Sequence, residues 1–270
     1  MRTPQYLMAA GAALLMLAPG ANAQDQQSDN SFKWSGGIEA GRSVYVRNLN
    51  GSIRVEAASG ATAEVRAEKK WRRGDPKTVK ITAEKTASGD ILVCAVWEGN
   101  NTRCDENGYS SHRDDSSWRG RNDNDVSVEF TISLPKGVKV DASSVNGGLE
   151  IAGATASVKA RTVNGGIQAA STSGPVSAKT VNGGIRVRAG MIGDGPTEYE
   201  TVNGSITLDL PESLNVNLDM ATVNGSVTSE DFPITIQGRI DRRHIEGKIG
   251  KGGPTLRVKT VNGSITLRRN

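Results

Sequence analysis

The chain has 270 residues and a formal net charge of +4, from 33 Lys and Arg against 29 Asp and Glu. That excess is mild and acidic residues are interleaved throughout, so the composition does not point to a nucleic-acid partner. Aromatics make up only 4% while Gly reaches 32 residues, which suits thin β cores of Val, Ile, Leu and Ala with Gly at the corners.

Residues 1–23 read as a secretory signal peptide. Arg2 supplies the positive start, residues 7–17 are apolar, and Ala21-Asn22-Ala23 is a small-x-small cleavage site. The apolar run is too short to span a bilayer, and no later run is long enough to do so. No Cys follows the cleavage site, so a lipid anchor there is not expected. The mature chain is expected to be exported, either periplasmic or secreted, with no transmembrane segment after cleavage. Residues 24–31 are polar and predict a disordered leader.

Residues 32–143 predict an irregular N-terminal β region. Residues 43–47, 52–56, 63–68, 79–83 and 90–97 alternate apolar and polar with period 2. Asn50-Gly51 is a turn between the first two, and residues 71–76 break the pattern. No segment carries a sustained 3.6-residue apolar stripe, so helix should be nearly absent. Residues 98–125 are rich in Asn, Asp, Ser, Arg and Gly and predict a long polar loop, solvated and tethered at its base. The two cysteines, Cys94 and Cys104, are expected to pair, because the chain is exported and holds no others. Such a short loop would contribute roughly 2.5–3 kcal/mol in the chain-entropy model. A metal site is not expected, since His112 is the nearest His. Asn122-Asp123-Asn124-Asp125 lacks the ligand spacing of a calcium loop. Tyr109 and Trp118 are the loop's candidate contact residues. Residues 126–134 form the clearest alternating strand and end at the turn Pro135-Lys136-Gly137.

Residues 144–270 are a Val-Asn-Gly repeat region. The motif is Thr or Ser, then Val-Asn-Gly, then Gly or Ser, then an aliphatic residue. Its Asn-Gly pairs are Asn146-Gly147, Asn164-Gly165, Asn182-Gly183, Asn203-Gly204, Asn224-Gly225 and Asn262-Gly263, and Asn50-Gly51 is a diverged early copy. The asparagines of the six regular copies step by 18, 18, 21, 21 and 38 residues, the last gap being close to two repeats. A fixed period near 20 marks units that must stack to bury their apolar faces. Each unit holds two short strands, such as Ile185 with Val187 and Val176 with Ala178, joined by Gly- or Pro-containing corners.

Asn-Gly is the strongest short hairpin signal, which would give an antiparallel meander. It also suits a solenoid corner in which Gly takes a positive φ. The regular period favours an all-β parallel solenoid, β-helix-like, of about 18–21-residue repeats, stacked at about 4.8 Å per coil. The partner of Ile185 decides: Ile167 and Ile206 in a solenoid, residues 176–180 in a meander. In a solenoid the asparagines should line one edge and hydrogen-bond from coil to coil, and Gly263 should lie at a frayed end.

The recurring Val-Asn-Gly-[Gly/Ser]-[Ile/Leu/Val] pattern resembles the DUF4097 family, the β-strand-repeat, adhesin-labelled toastrack proteins of bacterial envelopes. Residues 130–138, with Pro135 and Gly137, look like that family's lead-in to the repeats. Residues 245–253, ahead of the last Thr-Val-Asn-Gly, look like its closing segment. The resemblance covers about residues 32–270, with residues 98–125 fitting poorly. It implies no catalytic residues and no cofactor.

No Ser–His–Asp or Cys–His set, phosphate loop, zinc spacing or dinucleotide fingerprint occurs. His112 and His244 are the only histidines. The expectation is therefore a non-enzymatic, adhesin-like binding or scaffolding module of the cell envelope. Its partners would be envelope proteins or surface glycans, not nucleic acid. The alternative, implied by toastrack relatives, is a periplasmic sensing partner of an envelope-stress system. A carbohydrate-active β-helix enzyme is the least favoured reading, because Arg186, Arg188, Arg257 and Lys259 on outward positions lack a carboxylate trio.

Overall fold

A computed structural model describes residues 24–98, 102–111 and 124–270. Residues 1–23, read above as a signal peptide, and His112, Trp118, Asn122 and Asp123 lie outside the described residues. Two eleven-stranded sheets dominate the fold. Each repeat gives one strand to each sheet, and the corner between the two strands is the Asn-Gly motif. In stack order the coils pair Ser43–Arg47 with Ile53–Ala57, Lys139–Ser143 with Leu149–Ala154, and Val158–Arg161 with Ile167–Ser171. Then come Val176–Lys179 with Ile185–Ala189, Thr197–Asn203 with Ile206–Leu210, Thr255–Asn262 with Ile265–Arg269, and Val216–Asn224 with Val227–Ser229.

Neighbouring coils pair in parallel. One column of partners runs Ile53, Leu149, Ile167, Ile185, Ile206, Ile265 and Val227. Ile185 thus sits between Ile167 and Ile206, the arrangement a solenoid requires and a meander does not. The period-2 alternation sends these residues inward, where all but Val227 are 0–2% exposed. Opposite them Val44, Val140, Val158, Val176 and Tyr199 close the same core. Burying each such aliphatic side chain contributes about 1.5–3 kcal/mol.

Spatial order departs from chain order at two places. After the coil ending at Ala57, the next coil of the stack begins only at Lys139. Between them Thr62–Lys70 and Ser127–Leu134 extend one sheet, and Val79–Lys85 and Ile91–Trp97 extend the other. The first coil then pairs with residues 139–154, so the expected boundary at 143/144 falls inside the second coil. The other departure is at the far end. The strand Ile265–Arg269 lies between Ile206–Leu210 and Val227–Ser229, and Thr255–Asn262 lies between Thr197–Asn203 and Val216–Asn224. The last coil in sequence is therefore inserted between two earlier ones. The 38-residue step does not hold two stacked repeats. It holds the antiparallel hairpin Ile234–Asp241 and His244–Ile249, which caps one sheet. Gly263 is consequently interior, and the last coil position of the stack belongs instead to the coil carrying Gly225.

Two further expectations are corrected. Residues 24–31 are not a disordered leader: Gln24–Gln27 pairs antiparallel with Ser31–Gly37. Ladder bonds are made by backbone, so an edge strand forms there without apolar side chains. The polar segment 98–125 is not loop throughout, since Thr102–Asp105 and Gly108–Ser111 form a hairpin. Its turn is closed by Asp105 Oδ1, which accepts from the Asn107 and Gly108 amides. Among the described residues helix is limited to one 3-10 turn at Pro76–Thr78, capped by the Asp75 side chain.

Candidate functional site

The Asn-Gly corners build one long edge of the molecule. Each Asn side chain donates from Nδ2 to the Oδ1 of the preceding coil. The chain of bonds runs Asn146 to Asn50, Asn164 to Asn146, Asn182 to Asn164 and Asn203 to Asn182, each 2.8 Å, then Asn262 to Asn203 and Asn224 to Asn262, each 2.7 Å. An amide is donor and acceptor at once, so a single residue type can extend such a ladder through every coil.

The glycines after these asparagines are there for a different reason than the sequence suggested. Only Gly51 and Gly263 have positive φ in this row, at 116° and 158°. What every coil shares is close approach. A Cβ on Gly165 would stand 2.2 Å from the Gly147 carbonyl oxygen, and one on Gly183 would stand 2.1 Å from that of Gly165. Main chain packs on main chain at this corner, and no side chain fits.

The Thr of the motif has a role that sequence reasoning missed. Thr162, Thr180, Thr201, Thr260 and Thr222 are buried. Each hydroxyl donates to the carbonyl of the Gly one coil earlier, at 2.8–2.9 Å. Ser144 does the same toward Gly51. In the first coil Asn48 replaces the hydroxyl and donates to the Gly51 and Val128 carbonyls. The signal was present as a hydroxyl at one fixed position in six copies.

The Val of the motif points outward. Val163, Val181, Val202, Val261 and Val223 are 38–54% exposed and form a ridge beside the asparagines. A shallow groove of about 660 Å³ runs along it, flanked by Arg161, Lys179, Glu200 and Lys259. On the other side of the asparagines lies a second groove of about 540 Å³. Its floor is Gly148, Gly166 and Gly184, where other coils carry Ser52, Ser205, Ser226 and Ser264.

On the outer face beside the valine ridge several charged side chains pair with one another. Lys179 binds Glu198 at 2.7 Å and Glu200 at 3.1 Å. Arg257 bridges Glu198 at 3.5 Å and Asp219 at 3.1 Å, and His244 lies 3.5 Å from Asp219. The Lys179 hydrogen bond holds the Glu198 carboxyl below the usual carboxylate range, and Glu198 raises Lys179 in turn. Among the described residues no group of three or more His, Cys, Asp or Glu converges as a metal site. No helix among them is long and apolar enough to cross a membrane.

Cys94 and Cys104 are bonded, with Cα atoms 6.3 Å apart. Tyr109, a candidate contact residue, is half-buried. Its hydroxyl faces inward, 2.7 Å from the Arg47 carbonyl oxygen and 2.5 Å from that of Ala95. Burial pushes its phenol well above the ordinary tyrosine value.

Two sheets of stacked, mostly parallel strands around a thin aliphatic core, with one Asn-Gly edge, define an all-β repeat protein. The Toastrack DUF4097 family model matches residues 41–268, and the chain belongs to that family. Solved structures of similar shape include a candidate cell adhesion protein from Clostridium sporogenes. It is 12% identical, with 92% of this chain and 100% of that chain covered and a TM-score of 0.44. A candidate adhesin from Bacteroides fragilis is 10% identical, with 90% and 98% covered and a TM-score of 0.34. No curated protein matches the chain in sequence.

Proposed function

We propose that the chain is a non-enzymatic, adhesin-like binding module of the bacterial cell envelope, and that it binds through the Val-Asn edge. The observation carrying this reading is the exposed ridge of Val163, Val181, Val202, Val261 and Val223 beside the Asn ladder. Single exposed aliphatics are ordinary, but a row at one coil spacing is a contiguous apolar surface. Over the coils carrying those five valines it extends roughly 20 Å at about 4.8 Å per coil. The outward charges beside it are engaged with one another, which supports a recognition surface more than a reaction centre. A binding rather than catalytic role also agrees with membership of the Toastrack DUF4097 family.

The test is co-sedimentation of the purified mature chain with isolated cell walls and with outer-membrane vesicles. The comparison is a Val181→Glu, Val202→Glu double variant, whose side chains are surface-exposed and leave the core intact. Wild-type sedimentation with one fraction, lost in the folded variant, supports the reading. Failure to sediment with either fraction, or equal sedimentation of the variant, contradicts it.

A further inference from the structure

Arg47 sits on an outward position of its strand. Val44 and Val46 point into the core, so Tyr45 and Arg47 face the other way. Cys94 likewise alternates with inward Val93 and Ala95. Both nevertheless are buried, Arg47 at 0% and Cys94 at 2% exposure. The hairpin of residues 102–111 lies over them. The Arg47 guanidinium donates to the Glu106 carbonyl of that hairpin, to the Asp141 carbonyl at 2.7 Å and to Asp141 Oδ1 at 2.9 Å. Its Nε finds no partner among the described residues. Tyr109, from the same hairpin, reaches back to the Arg47 and Ala95 carbonyls.

The hairpin forms a two-stranded sheet of its own and joins neither large sheet. Among the described residues no backbone-to-backbone bond ties it to the stack. Two-stranded hairpins are marginal alone. Among the described residues its side-chain attachments to the stack are the Cys94–Cys104 bond, the Arg47–Glu106 contact and the Tyr109 hydroxyl.

We propose that the Cys94–Cys104 disulfide is a redox latch: its reduction releases the 102–111 hairpin and uncovers Arg47 without unfolding the stack. Exposed, Arg47 and Arg161 share the single carboxylate of Asp141, which both contact at 2.9 Å. The uncovered face carries a net positive charge that the latched form hides. The reductant is a dithiol, small or protein-borne. Its first thiolate attacks the half-buried Cys104 sulfur, forming a mixed disulfide and expelling Cys94 as a thiolate. Its second thiol displaces Cys104, so two electrons pass to the cysteines and the dithiol becomes a disulfide. Attack on Cys94 itself is obstructed by burial.

The experiment treats the folded mature chain with phenylglyoxal, an arginine reagent, before and after dithiothreitol, and maps modification by mass spectrometry. Amide exchange is followed in parallel, and a Cys94→Ser, Cys104→Ser variant provides the permanently open form. Arg161, 46% exposed at its side chain, is the internal control and should react in every sample. Arg47 should react only in the reduced and the double-variant protein, with exchange at residues 102–111 faster by at least tenfold and residues 185–210 unchanged. Arg47 protected after reduction, or already reactive in the oxidised chain, overturns the latch. Loss of protection at residues 185–210 on reduction also overturns it, since the bond would then be a staple of the whole fold.

Discussion

Gly165 and Gly166 are adjacent in sequence and opposite in tolerance. A methyl group on Gly165 would lie 2.2 Å from the Gly147 oxygen and 2.5 Å from its carbon. Retreat is blocked on both sides, because the Gly165 amide donates to Asn182 at 2.9 Å and the Gly147 amide donates to Asn164 at 2.9 Å. Overpacking costs about 1–3 kcal/mol, and straining those two bonds adds about 1 kcal/mol each. Gly165→Ala should therefore cost about 3–5 kcal/mol, or roughly 6–20 °C in Tm for a chain this size. Gly166→Ala meets its first neighbour, the Gly184 oxygen, at 3.5 Å, and Ser205 and Ser264 occupy the same corner elsewhere. Its change should stay within about 1 kcal/mol. Thermal melts followed by far-ultraviolet circular dichroism read both variants. Equal losses for the two, or no loss for Gly165→Ala, would refute main-chain contact as the reason for the first glycine.

Three further outcomes follow from the same geometry. Asn182→Ala removes the bonds to Asn164 and from Asn203 and should cost about 1–2 kcal/mol, measured by urea titration; no change would mean that the ladder is decorative. Ile185→Asp puts a carboxylate at a 2%-exposed core position, a burial costing more than the roughly 2–5 kcal/mol of a truncation to Ala, so the far-ultraviolet melt should collapse; an unchanged melt would contradict the inward assignment. Glu198, whose carboxyl Lys179 holds below its ordinary value, contributes stability above its unfolded pKa and loses it as pH falls through the lowered folded value. Half-exposed and screened, the pair is worth about 0.2–1 kcal/mol. Glu198→Gln should thus lower Tm slightly at neutral pH, and the difference should shrink as pH falls through the lowered folded value; a pH-independent difference would exclude the ion pair as its cause.

Much of the stack was legible because its signals are local. The spacing of Asn146, Asn164, Asn182 and Asn203 reports one coil per repeat, and the alternation of Ile185 with Arg186 and Val187 with Arg188 reports which side faces the core. The Asn edge followed from these alone. The order of coils was not legible, because Ile265 could complete the column beside either Ile206 or Val227 with the same side chain. The chain skips one coil position over residues 211–215, the hairpin 234–249 takes the outer edge of Val216–Asn224, and Thr255–Asn262 returns to fill the gap. The glycine's purpose was misread since positive φ and close approach both demand Gly, and a sequence records only the residue. The burial of Arg47 gave no signal either. It comes from a hairpin that lies across the outer face of the sheet from more than 50 positions away, beyond any periodic pattern.

The inserted C-terminal coil is what most sharply separates this stack from one laid down in chain order. Parallel neighbours place Thr207 beside Thr266, and Thr266 beside Thr228. Thr207 and Thr228 are then two coils apart, roughly 9–10 Å at the spacing of paired strands, too far for a disulfide, which needs Cα atoms within about 7 Å. The measurement is oxidative cross-linking of two double variants in the folded chain, read by mass spectrometry of disulfide-linked peptides. Thr207→Cys with Thr266→Cys should cross-link, and Thr207→Cys with Thr228→Cys should not. The reverse pattern would place the coils in sequence order and contradict the fold described for residues 206–269.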